Sequence, residues 1–90
     1  MIEELKTFTE ELVLFTENLI KYLVSDPEMV KVKDFTDDEG NIILEIIVPS
    51  EDMGRVVGRS GKNIQAIRTL IQATAYNKGL KKVKINVDSF

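Results

Sequence analysis

Apolar residues recur at three- and four-residue spacing over the first quarter of the chain, with acidic residues between them. This pattern predicts one amphipathic helix over residues 2–24. Ser25-Asp26-Pro27 is expected to end it, because the residue before a proline is disfavoured in the helical conformation. The pattern favours a helix that packs on a sheet, and a partner-binding helix is the alternative. The apolar positions are Leu5, Phe8, Leu12, Phe15, Leu19 and Leu23.

The next segment, residues 30–48, has the pattern of a β-hairpin. Apolar and polar residues alternate from Val30 to Phe35, and a nearly continuous aliphatic run follows from Ile42 to Val48. Such a run predicts a central strand that is buried on both faces. The acidic turn over residues 37–41 lacks the alternating oxygen ligands of a calcium loop, so a solvated hairpin tip is the favoured interpretation.

Two helices and a last strand are predicted in the second half of the chain. Ser50 is a candidate N-cap for a short helix from Glu51 to Val57, and a longer helix runs from Lys62 to Tyr76. Together they span residues 51–76, and alternation resumes in a strand over 82–88. The element order is therefore αββααβ, an α+β fold. Because an αα crossover joins the second and third strands, they should run parallel in a mixed three-stranded sheet.

The longer helix carries two kinds of apolar residue. At 100° per residue, one narrow stripe must face the core. Leu70 lies about 100° from the centre of that stripe, between Ala66 and Ala73. A leucine flanked by alanines suits a dimer interface, but a single exposed leucine is also ordinary. The pattern alone leaves both interpretations open. The core stripe consists of Ile64, Ile67, Ile71 and Ala75.

The composition narrows the possible functions. Ninety residues, 43% of them hydrophobic and 30% charged, suit one globular domain. The chain contains no cysteine and no histidine, so a nucleophile–base pair or a metal site is not expected, and we predict no enzyme, cofactor or metal. Without a signal peptide or a membrane-spanning run, a cytoplasmic protein without membrane contact is expected.

The net charge of −3 hides a sharp asymmetry along the chain. Residues 1–30 and 31–53 each carry two basic and seven acidic side chains, whereas residues 54–90 carry eight basic and one acidic. A charge switch at one boundary indicates that the last segment binds an anionic partner.

A glycine-rich turn opens the longer helix, in the run Arg55-Val-Val-Gly-Arg-Ser-Gly-Lys-Asn-Ile64. A nucleotide-binding P-loop would need glycine at Val56 and a hydroxyl residue at Asn63, so this type of site is excluded. A dinucleotide-binding turn is excluded because the glycines have the wrong spacing and follow no strand. The pattern that remains is helix, Gly-x-x-Gly, helix, with aliphatic residues on either side.

This pattern resembles the signature of the KH domain, and the whole chain resembles the small bacterial single-KH RNA-binding proteins of the KhpA family. The resemblance implies a type II KH fold with its helices packed on one face of the sheet. It also implies a loop that clamps about four nucleotides of single-stranded RNA. A homodimer, or a heterodimer with a KhpB-like protein, is implied as well, in post-transcriptional regulation linked to cell elongation and division.

The residues of the turn suit this role on physical grounds. Gly58 and Gly61 let a phosphodiester backbone approach closely, and the start of the helix beyond them directs N–H groups toward it. Arg59 and Lys62 add full charges. Around them, the predicted RNA-binding residues are Arg55, Val57, Ser60, Ile64, Arg68 and Lys84, of which Val57 and Ile64 form an apolar floor for bases; Lys81 and Lys82 are either further contacts or solvated charges.

An interaction module without RNA binding is the second hypothesis. It would act through the Leu70 face or through the acidic first helix, and it would need no small-molecule substrate. RNA crosslinking of the purified protein distinguishes the two hypotheses.

Overall fold

The computed structural model describes residues 2–80 and 82–90, with side chains from Lys6 onward. The predictions for the Leu5 side chain and for Lys81 therefore lie outside the described residues. The elements in chain order are α1 (Ile2–Lys21), β1 (Lys31–Thr36), β2 (Ile42–Val48), α2 (Met53–Val57), α3 (Lys62–Asn77) and β3 (Val83–Ser89).

The three strands form one mixed sheet in the order β1-β2-β3. β1 pairs antiparallel with β2, with Lys33 opposite Glu45, whereas β3 pairs parallel with β2, with Ile85 opposite Leu44. The predicted α+β fold and the parallel pairing across the helical crossover are confirmed. Because β2 is central, β1 and β3 are the two edges of the sheet.

The core lies between one face of this sheet and the helices. Leu44, Ile46 and Val48 of β2 are fully buried on that face, beside Val83 and Ile85 of β3. The helices contribute Leu12, Ile20, Ile64, Ile67, Ile71 and Ala75, so the predicted core stripe of α3 is confirmed.

The opposite face of the sheet is open to solvent. Ile43, Glu45 and Ile47 of β2 are only half-buried there. The expectation that β2 is buried on both faces was therefore wrong, because all the helices pack on the other side. The aliphatic run therefore indicates that the strand is central in the sheet, and it does not indicate that both faces of the strand are buried.

The first helix ends at Lys21, three residues before its predicted end at residue 24. The N–H of Leu23 donates to the carbonyl of Ile20 at 2.9 Å, which closes a tight final turn. Beyond it, the backbone N–H and the hydroxyl of Ser25 both donate to Asp52 Oδ1. This contact holds the chain away from the helical path before Pro27 is reached.

The predicted start of the second helix also differs. Residues Ser50–Asp52 form a single 3₁₀ turn, and α2 begins only at Met53. Ser50 makes no side-chain capping bond, so its assignment as N-cap was wrong. The reason is that the 3₁₀ turn starts one residue earlier: the N–H of Asp52 donates to the carbonyl of Pro49 at 2.9 Å, so Ser50 lies inside the turn rather than at its cap.

The first and last strands each begin and end one residue later than predicted. Val30 lies before β1, because its N–H donates to the carbonyl of Pro27 and closes the 3₁₀ turn Pro27–Met29. Its side chain is buried. β3 begins at Val83, so Lys82 precedes the strand. None of the helices in the described chain has the length and apolar character needed to cross a bilayer.

Candidate nucleic-acid interface

The Gly58–Gly61 loop joins the end of α2 to the start of α3 in a left-handed backbone conformation. The φ angles are +77° at Gly58, +57° at Ser60 and +75° at Gly61. L-residues rarely adopt such angles, and glycine adopts them without steric cost. Three residues of the loop thus have positive φ, and the one that is not glycine, Ser60, is strained.

Gly58 is needed for space as well as for its backbone angle. A Cβ atom at this position would lie 2.6 Å from Cγ and 2.8 Å from Cβ of Asn63. At Gly61 the nearest such atom is 3.9 Å away, so that position requires glycine for its backbone angle only. The spacing of the two glycines therefore follows from two different constraints.

The cations of the loop are available to a ligand. Arg59 and Lys62 are exposed, and neither forms an ion pair within the described residues. Ser60 is also exposed between them. This arrangement gives a turn with a charge on either side and a hydroxyl at its tip.

Two N–H groups at the start of α3 are already used inside the loop. Gly61 donates to the carbonyl of Gly58 at 3.1 Å, and Lys62 donates to the carbonyl of Arg59. The expected row of free N–H groups is therefore shortened.

Arg55 lies one turn before the loop and is held by an acidic neighbour. Its Nη1 atom is 2.9 Å from Asp52 Oδ1 and also donates to the carbonyl of Glu51. Asp52 is fully buried. The hydrogen bond from the Ser25 backbone lowers the pKa of Asp52, burial opposes this, and Arg55 lowers the pKa further. Arg55 therefore carries a partly neutralised charge, although half of its side chain stays exposed.

The two residues predicted to form an apolar floor for bases differ in how far they are buried. Ile64 is 7% exposed and belongs to the hydrophobic core, whereas Val57 is half-buried at the end of α2. Val57 is therefore the more accessible of the two side chains for contact with a base.

One side of α3 lies along the edge strand β3. Arg68 Nη2 donates to the carbonyl of Ile85 at 3.3 Å, and Gln72 Nε2 donates to the carbonyl of Val83. These two side chains cover the outward carbonyls of the strand over two successive turns of the helix. Arg68 thus lies at the edge of β3, less than two turns along α3 from the loop.

Lys84 lies apart from the loop and from Arg68. Val83 and Ile85 face the helices, so Lys84 projects from the open face of the sheet, where its Nζ is 3.6 Å from Asp37 Oδ2. Lys82 lines a small cavity with Glu39 at the hairpin turn. That turn lies near the end of α3 opposite the loop, roughly 22 Å along a helix of this length. The structure does not bring these two lysines to the loop.

The proposed dimer residues lie on the outer surface of α3. Leu70 is 50% exposed, and Ala66 and Ala73 are exposed one turn to either side. They form a small apolar patch on the helix that opens at the glycine loop.

Three residues with contacts at this site were missed by the sequence analysis. Asn63 contacts Gly58, Asp52 holds Arg55, and Gln72 covers the edge of β3. Asn63 could have been found as a polar side chain next to a glycine turn. No pattern in the sequence would have predicted the contacts that Gln72 and Asp52 make.

Comparison with known proteins gives one consistent result. The family model for the KhpA/KhpB KH domain matches residues 14–87. An RNA-binding protein KhpA from Clostridium acetobutylicum is 41% identical over 71 residues, which cover 79% of this chain and 92% of the relative. KhpA from Clostridium perfringens is 42% identical over the same shares of both chains. KhpA from Listeria monocytogenes is 37% identical over 87% of this chain and 96% of the relative. On its loop, its element order and these matches, the chain belongs to the KhpA/KhpB family of KH domains.

Proposed function

We propose that this protein binds single-stranded RNA and lays the backbone of about four nucleotides against the Gly58–Gly61 loop. One observation carries the proposal: Arg59 and Lys62 are exposed and unpaired within the described chain, on either side of a turn with left-handed backbone angles. The relatives named RNA-binding protein KhpA support the same ligand.

The bases would lie beside α3 rather than over the loop. Half-buried Val57 at the end of α2 and Arg68 at the edge of β3 are the side chains that would contact them. Arg68 already donates to the Ile85 carbonyl, so a base that lies beside it would meet a guanidinium held in place. The interface thus combines phosphate contacts at the loop with base contacts along the helix.

The proposed activity is binding alone. Membership of a KH family confirms the prediction that this chain is not an enzyme. A role in post-transcriptional control of cell elongation and division stays a prediction.

The proposed assembly is a dimer through the patch around Leu70. Half of the Leu70 side chain is exposed, and the alanines beside it allow a second helix to approach closely. A second copy of this chain or a KhpB-like KH protein would fill the patch, and the family model covers domains of both kinds. Two loops in one particle would bind RNA more tightly than one.

Replacement of Arg59 and Ser60 by aspartate tests the RNA site. We expect the affinity for single-stranded RNA, measured by fluorescence anisotropy, to fall at least about a hundredfold, because a charged hydrogen bond contributes about 1.5–3 kcal/mol and repulsion is added. The fold should persist, since aspartate tolerates the left-handed angle of Ser60.

A matched control changes the net charge equally on the open face of the sheet. Lys33→Asp with Asn86→Asp introduces the same three units of negative charge at exposed positions. It should reduce the affinity far less than the loop variant. Equal losses of affinity in both variants would show that RNA binding depends only on the overall charge of the protein. A loop variant that binds as well as the wild type, in a protein that captures a stoichiometric protein partner, would favour the interaction module.

A further inference from the structure

The side chain of Asn63 ties together the two helices that flank the loop. Its Nδ2 atom donates to the carbonyl of Arg55 at 2.7 Å. Arg55 lies in the last turn of α2, where the carbonyls have no partner within the helix. Asn63 lies in the first turn of α3. This hydrogen bond therefore links the two sides of the loop. It also provides a partner for the Arg55 carbonyl, which would otherwise have none at the end of the helix.

Asn63 also fills the inner side of the loop. The space beside Gly58 is so tight that an added Cβ would lie within 2.8 Å of two side-chain atoms of Asn63. A movement of the asparagine would therefore open a gap at Gly58. The position of this side chain and the path of the loop backbone are coupled.

The loop needs such support because its backbone is not relaxed. Ser60 has a φ of +57°, where an L-residue is strained, whereas Gly58 and Gly61 on either side of it adopt positive φ without that cost. Strained angles persist only where the surrounding structure holds them. Of the side chains in the described chain, Asn63 is the one that donates across from α3 to α2.

We propose that Asn63 is a positioning residue for RNA binding: it holds the loop in the conformation that receives the phosphate backbone before any RNA arrives. This inference rests on the proposed RNA-binding function. Without this hydrogen bond, the loop would occupy the binding-competent conformation for only part of the time. The apparent affinity would then fall in proportion to the fraction of molecules in that conformation. The number of phosphates contacted in the bound state would not change.

The test compares Asn63→Ala with Arg59→Ala. For Asn63→Ala we expect a three- to tenfold weaker affinity for a short single-stranded RNA, and an unchanged slope of log affinity against log salt. In the RNA-free protein, NMR relaxation should show increased motion at Gly58, Ser60 and Gly61. Arg59→Ala should leave this motion unchanged and should make the salt slope shallower by about 0.7, because one phosphate contact is lost.

Two further variants separate the tie from general effects on the helix. Asn63→Leu keeps a side chain branched at Cγ but has no donor, and it should behave like Asn63→Ala, even if the alanine variant is too unstable to study. Gln65→Ala removes an exposed side chain of the same helix that makes no hydrogen bond within the described residues, and it should match the wild type.

Several outcomes would overturn the proposal. Weaker binding without a change in the RNA-free loop would mean that Asn63 contacts RNA directly. A mobile loop with unchanged affinity would mean that its position is irrelevant to binding. If the aspartate variant at Arg59 and Ser60 binds as well as the wild type, the RNA site itself is misplaced and both proposals fail. If only the Asn63 variants bind normally, the positioning role fails alone.

Discussion

At the scale of single residues, Asp52 joins distant parts of the chain. Its Oδ1 atom accepts bonds from the backbone and hydroxyl of Ser25, 27 residues earlier, and from Arg55 one turn later. Its Oδ2 atom is buried and has no hydrogen-bond partner among the described residues. The carboxylate thus connects the end of α1 to the helix that leads into the loop.

The contribution of Asp52 to stability should depend on pH. Its folded-state pKa is lowered below the ordinary value of 3.8, chiefly by the hydrogen bond from the Ser25 backbone. A lowered pKa means that the fold favours the charged form. The stabilisation is therefore complete at neutral pH and is lost as the pH falls through the folded-state pKa.

Asp52→Asn should consequently be less stable than the wild type at pH 7, and the difference should shrink below pH 3.8. Urea unfolding at pH 7, 5 and 3 measures this. Asp37, whose pKa is also lowered by its hydrogen bonds in the hairpin turn, is present in both proteins and cancels in the comparison. The exposed substitution Asp38→Asn is the control. A difference that stays constant over the pH range would contradict the role of the charge.

The predictable residues are those whose role is set by near neighbours in the chain. The role of Gly58 and Gly61 was predicted from their spacing, and their positive φ angles are consistent with that prediction. The contact of Asp52 with Ser25 was not predicted, because it depends on tertiary packing. Lys84 was assigned to RNA by its charge, and its pairing with Asp37 depends on strands that meet only in the folded sheet.

At the scale of elements, α3 presents three distinct sides. The buried stripe faces the core, Arg68 and Gln72 lie along β3, and Leu70 projects outward. Periodicity predicts the buried stripe because burial repeats with the helical turn. It does not predict which strand lies beside the helix, so the contacts with the edge of β3 appear only in the structure.

The outer side of α3 provides the test of the proposed dimer. In Leu70→Asp, a charge replaces the centre of the apolar patch, so two helices could associate there only by burying an unpaired carboxylate. We expect light scattering to give a mass near 10.2 kDa for the variant and about twice that for the wild type. The monomer should stay folded, because Leu70 is half exposed.

Thr69→Asp is the matched control for this experiment. It adds the same charge at the neighbouring exposed position, which lies about 100° around the helix. It should leave the mass unchanged. A wild-type mass equal to that of the Leu70 variant would refute the dimer, and a loss of mass in both variants would show that the interface is wider than the patch.

At the scale of the whole molecule, the charge asymmetry is partly cancelled by folding. Arg55, Lys78 and Lys84 of the basic segment each pair with a carboxylate from an earlier segment. Arg59 and Lys62 at the loop form no such pair within the described chain. Arg68 and Lys82 are also without an ion pair in the described residues, so the attractive surface is smaller than the basic segment and includes the loop together with these two cations.

This distribution makes a quantitative prediction about salt. If Arg59 and Lys62 each contact one phosphate, one loop gives a slope of about −1.4 in log affinity against log salt, and two loops on one RNA give about −2.8. Between 50 and 200 mM salt the affinity should then fall by about sevenfold for one loop and about fiftyfold for two. A short RNA of about four nucleotides can occupy only one loop, whereas a long RNA can reach both.

The wild type should therefore show the steeper slope with long RNA and the shallower slope with short RNA. Leu70→Asp should show the shallower slope with both, because a monomer has one loop. Anisotropy titrations with RNA in excess over protein prevent two monomers from sharing one strand. Equal slopes for the wild type on both RNAs would mean that the two loops of a dimer do not bind one strand together. A slope steeper than −2.8 would mean that cations beyond the loop, such as Arg68, also contact phosphates.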